Sequence, residues 1–474
     1  MGPLAAGAGP TAPLLAQLRA APPLACHLPA HGRGRALPGP LRQLLRWRPG
    51  AWDCPELPAW GGPLLEEGAV AEAQRRCAAL LGARACWFGV NGASGLLQAA
   101  LLALAPPGAR VLLPRNLHRS LLHGCLLGGV DPLLYSLPFD AASGLWQPPT
   151  ADHLERVLEA ALAVGPVAAL VLLDPTYHGL RADLASLVAL AHARGLPVLV
   201  DQAHGQGEAV AARADLVVLS PQKSGGGLAQ GAALLARGER ISDDAVARSL
   251  LWLQTSSPSA LLLTSTAAAL EQLASPAGQA LRRQAEARGQ RLARDLTRRG
   301  FPVLATADPL RLPLQCGAFG VHGLRADRWL LERGVAVELP EPAVLLFCLG
   351  LAPPRALERR LPRLLEEMRA ALGGPPLPPP TPPPVPLVGG LDLAIGTAWR
   401  APSEPVPLAE AAGRIAAEPL VPYPPGIPLL VPGERIDAAR ARWLQDQGRL
   451  WPGQITDTVR VVADCPGPVG DPRP

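Results

Sequence analysis

Lys223 is the only lysine in the 474-residue chain. It stands in Ser220-Pro-Gln-Lys-Ser-Gly-Gly-Gly, directly after the apolar run Asp215–Leu219. A primary amine can form an imine with a carbonyl compound, whereas the guanidinium of arginine stays protonated and cannot. The chain holds 49 Gly and 56 Pro against 2 Met, 3 Tyr and 5 Phe, the mark of a GC-rich coding bias that also favours arginine over lysine. Asn91 and Asn116 are the only asparagines left. A lysine that persists under such pressure, at a strand end before a glycine-rich turn, reads as a nucleophile rather than as a solvated surface charge.

Asp201-Gln-Ala-His204-Gly closes a second apolar run, Pro197–Val200. An isolated aspartate there would be a turn or cap residue. Paired with an imine-forming lysine, it is what pyridoxal phosphate (PLP) requires, because the pyridine ring is an electron sink only while its nitrogen is protonated. Ala203 is small enough to lie flat on such a ring, and His204 is placed to hydrogen-bond its phenolic oxygen. A phosphate site is needed too. Asn91-Gly-Ala-Ser94-Gly95 lies between a strand and an apolar helix, where helix N-terminal N–H groups and the Ser94 hydroxyl can hold an anion. Pro114-Arg-Asn-Leu-His118-Arg-Ser follows another strand, and its imidazole could stack on the ring face opposite Ala203.

These residues need a scaffold that brings strand ends together. Between 61 and 300, short apolar runs (Ala85–Val90, Arg110–Pro114, Pro132–Ser136, Val167–Leu173, Pro197–Val200, Leu216–Leu219) alternate with helical stretches that include Ala93–Leu104, Leu154–Ala163 and Leu184–Arg194. Apolar strands without alternation, separated by helices, predict an α/β fold with a mostly parallel sheet covered on both faces. Residues 1–60 are expected to form an N-terminal arm with one short helix near 13–21. A small α+β domain is expected over 301–372, with strands Arg311–Gln315, Val335–Leu339 and Val344–Leu349 and a helix Arg355–Leu372. Residues 373–388 contain the proline tract Pro375–Pro386, expected to be a stiff linker, and 389–474 form a third unit.

The net charge of +5 is carried by scattered arginines, which argues against a nucleic-acid partner. Eight cysteines include no CxxC pair, so neither a metal site nor a disulfide framework is expected. No apolar run approaches the ~20 residues of a membrane helix, and the N-terminus makes a poor signal peptide. A cytoplasmic protein is expected.

Taken in order, the motifs resemble one family, the bacterial ornithine/lysine/arginine decarboxylases of the aspartate-aminotransferase fold (fold type I), in the short form without a receiver-like domain. His27-Leu-Pro-Ala-His31-Gly-Arg-Gly is similar to the family's arm, Val90-Asn-Gly-Ala-Ser to its phosphate loop, and Asp174-Pro-Thr-Tyr177-His-Gly to its PTYYG segment. Pro114-Arg-Asn-Leu-His-Arg-Ser, Asp201-Gln-Ala-His-Gly, Ser220-Pro-Gln-Lys and Gln254-Thr-Ser-Ser-Pro-Ser follow, and Pro422-Tyr-Pro-Pro-Gly-Ile-Pro and Pro432-Gly-Glu434 resemble the C-terminal domain. The resemblance implies that Lys223 carries PLP, Asp201 pairs with the ring nitrogen, His118 stacks on the ring, and Ala93, Ser94 and Ser220 hold the phosphate. It also implies that Ser257 reaches the phosphate of a neighbouring subunit, so that a homodimer shares its active sites. Gln222 departs from the family's histidine before the lysine, and His178 from a tyrosine.

The reaction implied is decarboxylation of lysine, ornithine or arginine to the corresponding amine. Glu338 and Glu434 are the expected acids for the substrate's distal cation. The same cofactor on the same fold also runs aminotransferases and aldolase-type lyases, and a non-catalytic regulator could keep the fold. Loss of CO₂ separates the first reading from the others.

Overall fold

The computed structural model describes residues 22–463 apart from 47–49, 51, 55, 422–426 and 451–454. The helix expected near 13–21 and most of the Pro422-Tyr-Pro-Pro-Gly motif lie outside the described residues. Seven strands build the central sheet in chain order: β1 (Ala85–Gly89), β2 (Arg110–Pro114), β3 (Asp131–Tyr135), β4 (Ala169–Leu173), β5 (Val198–Gln202), β6 (Leu216–Leu219) and β7 (Ala232–Ala236). Helix α1 (Gly92–Leu104) follows β1, and α2 (Arg119–Gly128) follows β2.

The sheet runs β3-β2-β4-β5-β6-β7-β1. Pairing is parallel from β3 through β6, and β7 is antiparallel to both its neighbours. Leu112, Leu170, Leu172, Val198, Val200 and Val217 pack on one face. Val111, Leu113, Val171, Leu199, Leu216 and Val218 pack on the other. Both faces are therefore buried, which is why these strands are apolar without alternation except at their ends. The turns that follow β1, β2, β5 and β6 all leave carboxyl ends of mutually parallel strands, on the edge where open α/β sheets bind ligands.

Helix α3 (Ala260–Ala274) follows the Gln254-Thr-Ser-Ser-Pro-Ser segment. The smaller domain contains β8 (Arg311–Leu314), β9 (Leu339–Pro340) and β10 (Leu345–Cys348), antiparallel in the order β8-β10-β9. The single strand expected over Val335–Leu339 is broken in two. Val335–Ala336 pairs in parallel with Leu24–Ala25 of the arm, while Leu339–Pro340 pairs with β10. The arm is thus docked: Leu24, Cys26 and Ala36 belong to the small domain's core.

No helix or strand lies between Leu372 and Val388. The end of this segment does more than link domains, because β11 (Val388–Gly389) pairs antiparallel with β3 and becomes an eighth strand of the central sheet. The C-terminal unit pairs β12 (Ser403–Pro407) with β13 (Thr458–Val462). Its core includes Ala441 and Leu444 of helix α4 (Ala438–Leu450).

Candidate active site

The strand ends converge on a cavity of about 700 Å³. Lys223 enters it from the short helix Pro221–Ser224 after β6. Its Nζ lies 3.1 Å from His204 Nε2 and 5.9 Å from the centre of the Tyr177 ring. Burial pulls the pKa of Lys223 below that of ordinary lysine, with Asp201 opposing the shift. Asp201, at the end of β5, is 2 % exposed, and its Oδ1 accepts from the Ala203 N–H at 3.1 Å. Ala203, Ser220 and Gln222 also line the cavity. The backbone carbonyl of Gln222 accepts from Ala30 N–H at 2.7 Å, which fastens the arm to the lysine turn. Gly226 in that turn has φ +78° and lies so close to Ala36 that a Cβ would meet its carbonyl oxygen at 2.6 Å; the arm packs there only because the residue is glycine.

His118 caps α2, its Nδ1 accepting from Ser120 N–H at 3.3 Å. The Ser120 hydroxyl lies 2.8 Å from the same nitrogen. Burial lowers the pKa of His118, and the charge of Asp201 opposes this. The ring is therefore anchored. On the neighbouring wall, α1 begins at Gly92 with no side-chain cap, so Ala93 and Ser94 present the open end of a 13-residue helix to the cavity. Ser220 Oγ and Asn116 Oδ1 are buried without a hydrogen-bond partner, and both residues line the cavity. An unsatisfied buried polar atom costs about 1–3 kcal/mol; two of them in one cavity wall are donors and acceptors waiting for a ligand.

His204 does not stand free to meet a ring oxygen. It bonds Lys223 on one side and, through Nδ1 at 3.0 Å, Arg311 on the other. The expected substrate acids are also elsewhere. Glu338 Oε2 accepts from Leu28 N–H at 2.7 Å and Oε1 accepts from the Tyr177 hydroxyl, so both its oxygens are used. Glu434 is 3 % exposed and clamped by Arg115 and Arg440. Its Oε2 also takes the Val431 N–H at 2.9 Å. Neither glutamate lines the cavity, and Glu434 pins the C-terminal unit to the loop after β2. Ser257 is exposed on the loop before α3 and does not reach the cavity of its own chain.

Sequence reasoning missed three parts of the site. His178 and Glu341 face the cavity and are hydrogen-bonded at 2.5 Å; apart from Asp201, Glu341 is the one carboxylate that lines it among the described residues. Arg311 is one arginine in a chain full of them, and its burial at 4 % exposure, shared among the described residues with Arg115 and Arg440, becomes visible only in the fold. The proline tract is the third: Leu377, Pro378, Pro380, Thr381 and Pro383 form cavity wall. Trp443 Nε1 of α4 donates to the Thr381 carbonyl at 3.2 Å and holds the tract in place. Among the described residues no group of three or more His, Cys, Asp or Glu could hold a metal ion, and no helix is long and apolar enough to cross a membrane.

The model of the Orn/Lys/Arg decarboxylase major domain matches residues 54–303, and that of the C-terminal domain of the same family matches 392–458. The chain belongs to the Orn/Lys/Arg decarboxylase family. An arginine decarboxylase of Bacillus subtilis is 30 % identical over 437 residues, covering 87 % of this chain and 88 % of that one. An arginine decarboxylase of Halalkalibacterium halodurans is 30 % identical over 93 % of this chain and 94 % of its own. Among solved structures, lysine decarboxylase A from Pseudomonas aeruginosa superposes with a TM-score of 0.72 at 19 % identity, over 86 % of this chain and 73 % of that chain. At that identity the likeness establishes the fold, which is the mostly parallel α/β architecture of PLP-dependent decarboxylases and transferases.

Proposed function

We propose that this decarboxylase uses PLP held by Lys223 to release CO₂ from a basic L-amino acid, with arginine the first candidate. The observation that carries the reading is the meeting of Lys223, Asp201 and His118 in one cavity whose wall contains the orphaned Ser220 hydroxyl. The residues fit the cofactor. Ala93 and Ser94 at the open end of α1, with Ser220, would hold the phosphate, an arrangement the helix terminus favours. Asp201 would keep a proton on the pyridine nitrogen, and His118 and Ala203 would sandwich the ring. When bound, PLP supplies the electron sink for the bond that breaks.

The chain's own groups do the rest. Lys223 presents an amine, and Gln222 lies beside it on the cavity wall. Phe139, Trp146, Trp443 and the proline tract cover the chamber and exclude water, which strengthens every charge interaction inside. With Glu338 and Glu434 already paired, Glu341, oriented by His178, takes the substrate's distal cation. The arginine preference is supported by the two relatives that match along most of their length and carry that name. Exposed Ser257 belongs to the neighbouring subunit's phosphate site, so the working unit is a homodimer. Buried free thiols such as Cys26, Cys77 and Cys125 suit a reducing cytoplasm.

Lys223→Arg keeps the charge and most of the volume but cannot form an imine. Borohydride treatment of wild-type protein with PLP is expected to fix one cofactor per chain, and the variant none. A fixed adduct in the variant would refute the assignment.

A further inference from the structure

We infer that Arg311, acting through His204, holds Lys223 as the free amine before any cofactor arrives. Arg311 Nη2 donates to His204 Nδ1 at 3.0 Å. A guanidinium has five N–H donors and no acceptor. Nδ1 is therefore the acceptor in that bond and carries no proton. A neutral imidazole then keeps its one proton on Nε2, the nitrogen 3.1 Å from Lys223 Nζ. That N–H needs a lone pair to donate to. An ammonium has three donors and none to accept with, so the bond exists only when Lys223 is neutral. The opposite arrangement, an ammonium donating to Nε2, would turn an Nδ1–H toward the guanidinium and set two donors face to face.

The first member of this relay is itself fixed. Arg311 Nη1 donates to Cys348 Sγ, and Cys348 stands opposite Arg311 in the β8–β10 register. Its ion-pair partner is Asp308, 3.7 Å away. Tyr177 packs on His204 with ring centres 4.5 Å apart and keeps the imidazole plane in place. Lys223 is faced by His118 from the N-cap of α2, Asp201 from β5, His204 from the turn after it, Arg311 from β8, Cys348 from β10, Glu338 from the segment before β9 and Tyr177 from the loop after β4. Burial favours the neutral amine most, Asp201 and Glu338 favour the ammonium, and Arg311 opposes it. Burial also drives the pKa of His204 well below its ordinary value, so the imidazole is neutral as the relay requires. Arg311 touches neither substrate nor cofactor in this scheme; it is a positioning residue.

The inference rests on Lys223 being the cofactor-binding amine, but it concerns the empty chain and can be tested there. The solitary lysine makes the test clean. Competitive acetylation with acetic anhydride across pH, read by mass spectrometry of the peptide that contains Lys223, gives its titration midpoint, with the N-terminal amine as internal standard. The wild-type midpoint is expected below the ~10.4 of free lysine. Arg311→Gln is expected to raise it, and each unit of rise lowers reactivity at pH 8 about tenfold. His204→Leu leaves the Arg311 charge in place but removes the relay, and is also expected to raise the midpoint. His204→Gln can accept from Arg311 with its oxygen and donate to Lys223 with its NH₂, and is expected to keep it low. Should Arg311→Gln fail to fold, the two His204 variants carry the test. A wild-type midpoint in Arg311→Gln or in His204→Leu overturns the relay. Failure of the cofactor reading would show differently, as absence of any borohydride-fixed PLP adduct in the wild type.

Discussion

Asp201 is buried at the end of β5 with one oxygen engaged by its own turn, which leaves the other for a cationic partner. Replacing it with asparagine preserves shape and removes the charge that keeps a ring nitrogen protonated. Asp201→Asn is expected to bind PLP within a few-fold of wild type by absorbance titration, and to lose turnover on the order of a hundredfold or more, as when other preorganised charge-stabilising groups are removed. Near-normal turnover would move the proton-holding role elsewhere. The legible residues at this scale were those whose chemistry has no substitute. Lys223 stood out because a composition hostile to lysine kept it, and Asp201 because it shares a strand-end position with it. Arg311 was hidden for the converse reason, since a functional arginine looks like every other arginine here. Glu338 and Glu434 show what spacing cannot supply. Whether an acid is free depends on partners such as Tyr177 and Arg115, and Arg115 lies 319 positions from Glu434.

Gly144 shows how the elements close the site. It occupies the turn between the short strands Phe139–Asp140 and Leu145–Trp146, with φ +76°, and a Cβ there would meet Pro380 Cγ at 2.6 Å. Gly144→Ala is therefore expected to push the proline tract off the cavity mouth, in addition to about 1 kcal/mol of local strain from the left-handed backbone. The measurable result is a several-fold rise in KM for the amino acid with a smaller change in kcat. Unchanged KM would mean that the tract is a spacer and nothing more. The tract's proline content made its extended course legible, but the contacts that turn it into a wall, from Trp443 and Gln447 to Thr381, come from residues 62 and 66 positions away in sequence and left no local signal. Strands β2 and β6 were legible to the residue because both faces are buried and, past Arg110, both stretches are continuously apolar. Strand β7 was not, since Ala-Ala-Leu-Leu-Ala is as good a helix as a strand and only its place between β6 and β1 decides. The broken strand at 335–340 was hidden because its two halves answer to different partners.

At the scale of the whole molecule, the last turn of the helix Asp243–Leu253 exposes apolar surface. Trp252 is 83 % exposed and Leu251 69 %, beside the exposed Thr255-Ser-Ser257 segment. Two large exposed apolar residues side by side suit a partner surface, and the loop that follows them carries the serine proposed for a neighbouring active site. Trp252→Glu is expected to weaken the dimer by about 2 kcal/mol or more, the loss typical of a buried interface tryptophan, which is roughly 30-fold in dissociation constant. PLP affinity should fall with it, because the phosphate loses Ser257. Light scattering and cofactor titration on the same samples check both. A variant that stays dimeric at unchanged affinity would place the interface elsewhere.

The central claim is that one chain of this kind, with PLP, removes the carboxylate of a basic amino acid. The measurement that bears on it most directly is product analysis after incubation of purified protein and PLP with L-arginine, L-lysine and L-ornithine in turn, with CO₂ and the amine quantified together. Equal amounts of CO₂ and the matching amine are expected from at least one of the three, arginine first. Accumulation of pyridoxamine phosphate and a keto acid without CO₂, or no product from any of the three, would contradict it.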